Sequence, residues 1–254
     1  MAPRLAVLTA GGSAPAIIVN ALAEAWPGLT VIAEPPEGKG EFLRRRARRL
    51  GWLQVAGQLP VMFGSRLSKR FLDRRFAEIE KTHGVSMTWP RDVTVIDVPS
   101  ANHPAFIEAL KRIEPDLLFV VGARMLSAAT LEALPCPAIN FHAGITPYYR
   151  GVNGGYWAMA RGEPDLYGGT VHFVDTGVDT GNVIAQKVCI SDPRDTIFTH
   201  HHAITAQCAG LCAAAVPEAL AGRLMDPQPQ GASQQYFHPT LWGWIATGLR
   251  TGVW

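Results

Sequence analysis

The chain has 254 residues, 48% of them hydrophobic and 17% charged, which supplies one sizeable core and excludes a wholly disordered chain. Lys and Arg total 23 against 21 Asp and Glu, leaving a net charge of +2, so a general attraction to nucleic acid or to an acidic membrane is excluded. The 4 cysteines form no CxxC pair; they exclude a disulfide scaffold and predict buried reduced thiols.

Residues 4–10 form a short apolar run closed by Gly11-Gly12-Ser13. The run is too short for a secretion signal and reads as a first core strand, with the cytoplasm as the expected location. Residues 14–26 carry apolar side chains at helical spacing, with Ser13 placed as the cap and Pro15 early enough to be tolerated. Residues 29–33 read as a second strand, stopped by Pro35-Pro36. This β-loop-α-β opening predicts a parallel sheet covered by helices.

Residues 41–83 are helical in pattern and locally basic, with Arg44, Arg45, Arg46, Arg48 and Arg49 read as a solvated face. Within them, residues 65–81 form a second cationic helix with Phe71, Phe76 and Ile79 on one face. Strand signals return at 93–98 and helix signals at 104–112. The fully apolar run 117–121 suits a central buried strand. A short helix at 126–134, a strand at 138–142 and a helix at 153–161 follow. Strands at 168–174 and 183–190 precede a long Ala-rich helix over 196–220. There Cys208 and Cys212 share a face, and no stretch is expected to span a membrane. The division expected is a catalytic domain over 1–225 and an aromatic extension over 226–254, packed on the body.

Several motifs carry little. The Gly11-Gly12-Ser13 turn could aim backbone N–H groups at an anion, but a plain tight turn fits equally well. His200, His201 and His202 are consecutive at the start of a helix and point in different directions, so no metal is assigned to them. A GxSxG nucleophile elbow is absent.

The chemistry concentrates between Asp116 and Gln186. Asn140 and His142 lie two apart on an apolar strand, sharing a face where it enters a Gly/Pro-rich loop. Farther on, a turn bearing Asp175 and Asp179 joins two strands. An amide, an imidazole and a carboxylate suit a reaction in which a carbonyl becomes tetrahedral. Without an evident Ser or Cys nucleophile, direct transfer to an amine is favoured over an acyl-enzyme. The same residues equally suit a buried histidine beside turn-forming carboxylates.

Asn140-Phe-His142-Ala-Gly-Ile-Thr-Pro147-Tyr-Tyr-Arg150-Gly151, followed by Gly169-Thr-Val-His172-Phe-Val-Asp175-Thr-Gly-Val-Asp179-Thr-Gly181, resembles the 10-formyltetrahydrofolate-dependent formyltransferases. The similarity covers about residues 90–215, with a looser match at the N-terminal β-loop-α. It implies an α/β, doubly wound, mostly parallel sheet. It also implies catalytic roles for Asn140, His142 and Asp179, with His172 supporting. Arg124, Met125 and Leu126 would read the pterin ring through their backbone. Asp175, Thr176, Gly177 and Val178 would close over it, and Gly11, Gly12 and Ser13 would meet the acceptor. The family's usual Ser-Leu-Leu-Pro is here Gly144-Ile145-Thr146-Pro147, one hydroxyl contact fewer.

The reaction implied is formyl transfer from 10-formyltetrahydrofolate, without a metal, to a primary amine of a small molecule. An amino sugar, an amino-acid derivative or another biosynthetic amine would serve. The tail after residue 225 reads as too short for the C-terminal domain of methionyl-tRNA enzymes, and the first strand is expected to open the catalytic domain without the N-terminal regulatory domain of formyltetrahydrofolate hydrolases. Neither nucleic acid nor membrane is an expected partner, and homodimerisation stays open. Formyltetrahydrofolate hydrolysis and non-catalytic folate binding are the alternatives.

Overall fold

A computed structural model describes residues 3–64 and 69–254. Strand β1 (Leu5–Thr9) is buried along its whole length, as a strand covered on both faces must be. Its side chains alternate: Leu5 and Val7 enter one apolar cluster, Ala6 and Leu8 another. In β4 (Leu117–Val120), Leu117 and Phe119 take the first side, Leu118 and Val120 the second. This two-residue period fixes what each face of the sheet carries.

Seven strands lie in the order β3 (Thr94–Asp97), β2 (Thr30–Ala33), β1, β4, β5 (Ala138–His142), β7 (Gly168–Phe173) and β8 (Val183–Val188). The first five are parallel. β7 and β8 are antiparallel additions on the β5 side. The expected doubly wound, mostly parallel sheet is what the chain forms.

Helices α1 (Ser13–Ala25) and α8 (His200–Leu220) cover the first cluster's face. Helix α5 (Pro104–Ile113) and the short α6 (Ala128–Glu132) cover the other. Cys208 and Cys212 sit on the inward side of α8, both fully buried and reduced. Helix α8 is long and apolar enough to cross a membrane, which corrects the expectation that no stretch has that length. Over half of its apolar window is buried in the protein, so it serves as a core helix.

Other expectations change as well. Gly12, at φ 109, is the N-cap of α1, and Ser13 is the first helical residue. The Ser13 hydroxyl bonds His202 on α8 instead of capping its own helix. The basic stretch folds as α2 (Lys39–Leu50) and α3 (Trp52–Phe63), then α4 (Lys69–His83). Residues 65–68 of the expected second cationic helix lie outside the described residues. Arg46 is buried, not solvated: its Nε donates to Gln58 Oε1 at 2.8 Å, and its guanidinium lies over the Phe237 ring. In α4 Leu72 and Ile79 are buried and Phe76 is half-buried beside them, while Phe71 is exposed. Phe71 and Phe76 are five apart, which puts them about 140° apart around the helix.

The 226–254 segment contributes two elements. Strand β9 (Gln235–Tyr236) pairs in parallel with β6 (Arg150–Gly151). Helix α9 (Leu241–Thr251) had no counterpart among the expected elements; Thr240 caps it by accepting from Gly243 N–H. The Trp242 ring lies on Gly57 of α3, in space that a Cβ would fill.

Candidate active site

Asn140 and His142 project from β5 with the parity of Ala138, so they share the sheet face that carries Val120 and Leu126. Across the antiparallel pair Asn140 faces His172 of β7. A register shift between Val171 and His172 interrupts the β7–β8 ladder beside these residues, as bulges near functional sites often do. Asn140 Nδ2 lies 3.2 Å from His172 Nε2. The other His172 nitrogen, Nδ1, donates to the Phe173 carbonyl at 2.7 Å.

Asp179 completes the group from the β7–β8 turn, held in the left-handed region at φ 51. Its Oδ2 lies 3.4 Å from His142 Nδ1 and its Oδ1 3.6 Å from His172 Nε2. Gly151 N–H of β6 donates to Oδ2 at 2.8 Å. Burial alone would raise the Asp179 pKa, but His142, His172 and this backbone donor outweigh it and hold the carboxyl well below its usual range. The group is therefore an anion clamped between two imidazoles.

His142 Nε2 donates to the Tyr149 carbonyl at 2.6 Å, so both ring nitrogens face an acceptor. Gly144 permits this, because a Cβ there would overlap both His142 Nε2 and the Tyr149 oxygen. For His142 to donate to a developing oxyanion, its ring must leave the Tyr149 carbonyl. Asn140 needs only to turn its amide away from His172. Neither backbone partner, Tyr149 C=O or Gly151 N–H, carries a residue-type signal in the sequence.

Beside the cluster lies a cleft of about 120 Å³. Arg124, Met125 and Leu126 line it from one side, and Asp175, Gly177 and Val178 from the other, with Asn140, His172 and Asp179 on its wall. Thr176 does not line it, nor do Gly11, Gly12 and Ser13. Clefts that enclose a whole drug-sized ligand run to roughly 300–1,000 Å³; this one suits the flat bicyclic end of a larger molecule. The N–H groups of Met125 and Leu126 have no partner among the described residues, so this rim can read a heterocycle edge. On the far rim, Asp175 accepts from Gly177 N–H at 3.0 Å and from the Thr180 hydroxyl at 2.8 Å. Arg150 Nη1 donates to Val178 O at 2.7 Å and fastens the turn to β6.

Glu34 organises the near rim and escaped the sequence reading. It is buried at the carboxyl end of β2, where it accepts from Arg124 N–H at 2.7 Å and from Ala101 N–H at 2.8 Å. Asn102 continues the brace, its Nδ2 donating to Met125 O and its Oδ1 accepting from Ser127 N–H. An acidic residue ending an apolar parallel strand was the available signal, since such ends line the ligand crevice.

A family model described as formyl transferase matches residues 74–215. The methionyl-tRNA formyltransferase of Pelobacter propionicus is 30% identical over 151 residues, covering 59% of this chain and 47% of that protein. Its counterpart in Trichlorobacter lovleyi is 29% identical over 165 residues, covering 65% and 49%. The chain thus spans about half the length of these curated relatives. Among solved structures, glycinamide ribonucleotide transformylase 1 from Symbiobacterium toebii superposes with a TM-score of 0.54 at 22% identity, covering 88% of this chain and 90% of that one. A sugar N-formyltransferase from a Shewanella species gives 0.55 at 10% identity, covering 93% and 77%. At these identities the two structures show a shared fold.

Proposed function

Since the chain belongs to the formyl transferase family, we propose that it transfers a formyl group from 10-formyltetrahydrofolate to a primary amine of a small molecule, such as an amino sugar or an amino-acid derivative. The observation that carries this reading is the Asp179 anion, clamped between His142 and His172, which shares with Asn140 and His172 the wall of a cleft whose rim offers two backbone N–H groups without a partner among the described residues. The folate supplies an activated formyl carbon bonded to a nitrogen that can leave.

The chain's residues do the rest. Met125 and Leu126 N–H hold the pterin edge, while Asp175, Gly177 and Val178 cover it. Asn140 Nδ2 turns from His172 to donate to the oxygen that gains charge as the amine attacks. His142, released from Tyr149, offers a second N–H donor. Asp179 keeps that ring oriented and receives the proton the amine sheds, passing it on as the old carbon–nitrogen bond breaks. Gly11, Gly12 and Ser13 meet the polar end of the acceptor.

A small acceptor agrees with the net charge of +2 and with the burial of Arg46 against Gln58, where a polyanion cannot recruit it. The test is tetrahydrofolate release from 10-formyltetrahydrofolate with a panel of amines. Asn140→Ala, His142→Ala and Asp179→Asn are each expected to slow it by about 100-fold or more with unchanged circular dichroism. Near-normal turnover in all three variants sinks the proposal. Formate release without any amine replaces it with hydrolysis.

A further inference from the structure

The segment after residue 225 does more than cover the body. Strand β9 and helix α9, together with α3, the end of α2 and the end of helix α7 (Gly154–Ala160), enclose a cavity of about 500 Å³. That volume falls within the roughly 300–1,000 Å³ of small-molecule sites. The cavity shares no lining residue with the cleft beside Asp179. Most of its wall comes from residues 50–58 and 234–250, outside the stretch matched by the formyl transferase model.

The wall is cationic and carries no acid. Arg161, the residue after α7, and Arg250, in the last turn of α9, both line it, while no Asp or Glu does. Arg250 is exposed and makes no hydrogen bond or ion pair among the described residues. Arg161 keeps half of its side chain exposed and has one carboxylate near it, Glu163 at 3.7 Å. Two more guanidinium groups, those of Arg46 and Arg49, lie over the ring of Phe237, itself a lining residue. Cations gathered around one space repel each other, and an anion among them relieves that repulsion. Guanidinium forks match phosphate oxygens in pairs.

The rest of the wall suits a flat ring with polar edges. Trp157 and Phe237 are half-buried and supply aromatic sides. His238 supplies a donor. Asn153 Nδ2 donates to its Nδ1 at 3.0 Å, which leaves the ring proton on Nε2, an atom without a partner among the described residues. Burial, followed by the charge of Arg46, lowers the His238 pKa to about 4, so the ring keeps one proton at neutral pH. The exposed Gln54 amide, also without a partner among the described residues, adds donors and an acceptor.

We propose that this cavity binds a nucleoside monophosphate, with the phosphate on Arg161 and Arg250 and the base against Trp157 and Phe237. His238 and Gln54 meet the polar edge of the base or the sugar hydroxyls. The site is separate from the folate cleft and does not depend on formyl transfer.

The test is calorimetric titration of the full chain with AMP, GMP, CMP and UMP, each compared with its nucleoside and with inorganic phosphate. At least one monophosphate is expected to bind with a Kd below about 100 μM, and its nucleoside and inorganic phosphate at least about tenfold more weakly. Arg161→Gln and Arg250→Gln should each weaken that binding about tenfold or more. Arg112→Gln, which removes an exposed charge from α5, should leave it unchanged. Saturating 5-formyltetrahydrofolate should change the affinity by less than about threefold. Failure of all four monophosphates to bind overturns the proposal. So does binding that inorganic phosphate matches, that Arg161→Gln and Arg250→Gln leave intact, or that Arg112→Gln weakens equally. Displacement by 5-formyltetrahydrofolate would place the ligand in the other cleft and overturn it as well.

Discussion

Glu34→Ala removes a carboxylate whose side chain has 0% exposure and which joins two loops at the rim of the cleft. Its oxygens accept from Arg124 N–H and Ala101 N–H at 2.7 and 2.8 Å, and Oε2 lies 3.6 Å from Arg124 Nε. Hydrogen bonds to a charged group contribute roughly 1.5–3 kcal/mol each, and both amides would be left unpaired. Arg124 keeps its bond to Pro35 O and some solvent contact, which softens the loss of the ion pair. Breaking one side of a buried pair costs about 3–5 kcal/mol, and about 4 is the expected value here. For a chain of this size each kcal/mol shifts Tm by about 2 °C, so a fall of about 8 °C should appear in thermal melts. Glu34→Gln keeps one acceptor oxygen but turns its NH2 toward a donor, so about half that fall is expected. Because the same carboxylate fixes the Arg124–Leu126 rim, calorimetry should show 5-formyltetrahydrofolate binding weakened about tenfold. A Tm change below about 2 °C with unchanged affinity would refute the bracing role.

Two further predictions concern charge and positioning. Burial lowers the His200 pKa to about 4 against about 6.5 in an unfolded chain, so between these values the unfolded state binds the extra proton. Stability that is full above pH 6.5 is therefore lost as pH falls toward 4, by about 3 kcal/mol in all from this residue. Urea melts of His200→Gln should show a slope in that window shallower by up to about 1.4 kcal/mol per pH unit, and an identical slope would exclude His200 as a source. Arg150→Met unfastens Val178 O and Ser233 Oγ; the folate KM should rise about tenfold with the Asp179→Asn defect otherwise absent, and an unchanged KM would remove Arg150 from the site.

The parts of the site legible in the sequence are those written in side-chain period. Asn140 and His142 share a face because strands repeat every two residues, and the β-loop-α-β opening announced the parallel sheet. Contacts made by backbone were not legible: the Tyr149 carbonyl and Gly151 N–H come from a loop whose path no residue type dictates. Glu34 was passed over as a lone acid, since its burial depends on two loops arriving from 67 and 90 residues away. Helix α9 was hidden by Gly243 and Gly248, although Thr240 supplied a readable cap. In α4 the error was one of angle, with Phe71 chosen where Leu72 continues the buried stripe.

Calorimetric titration of 5-formyltetrahydrofolate into the wild type and into Leu126→Arg tests the account most directly, because Leu126 is buried and lines the cleft together with Asn140, His172 and Asp179. Micromolar binding to the wild type, weakened at least about 100-fold in the variant, is the predicted result. No binding to the wild type, or equal binding to both proteins, would contradict it.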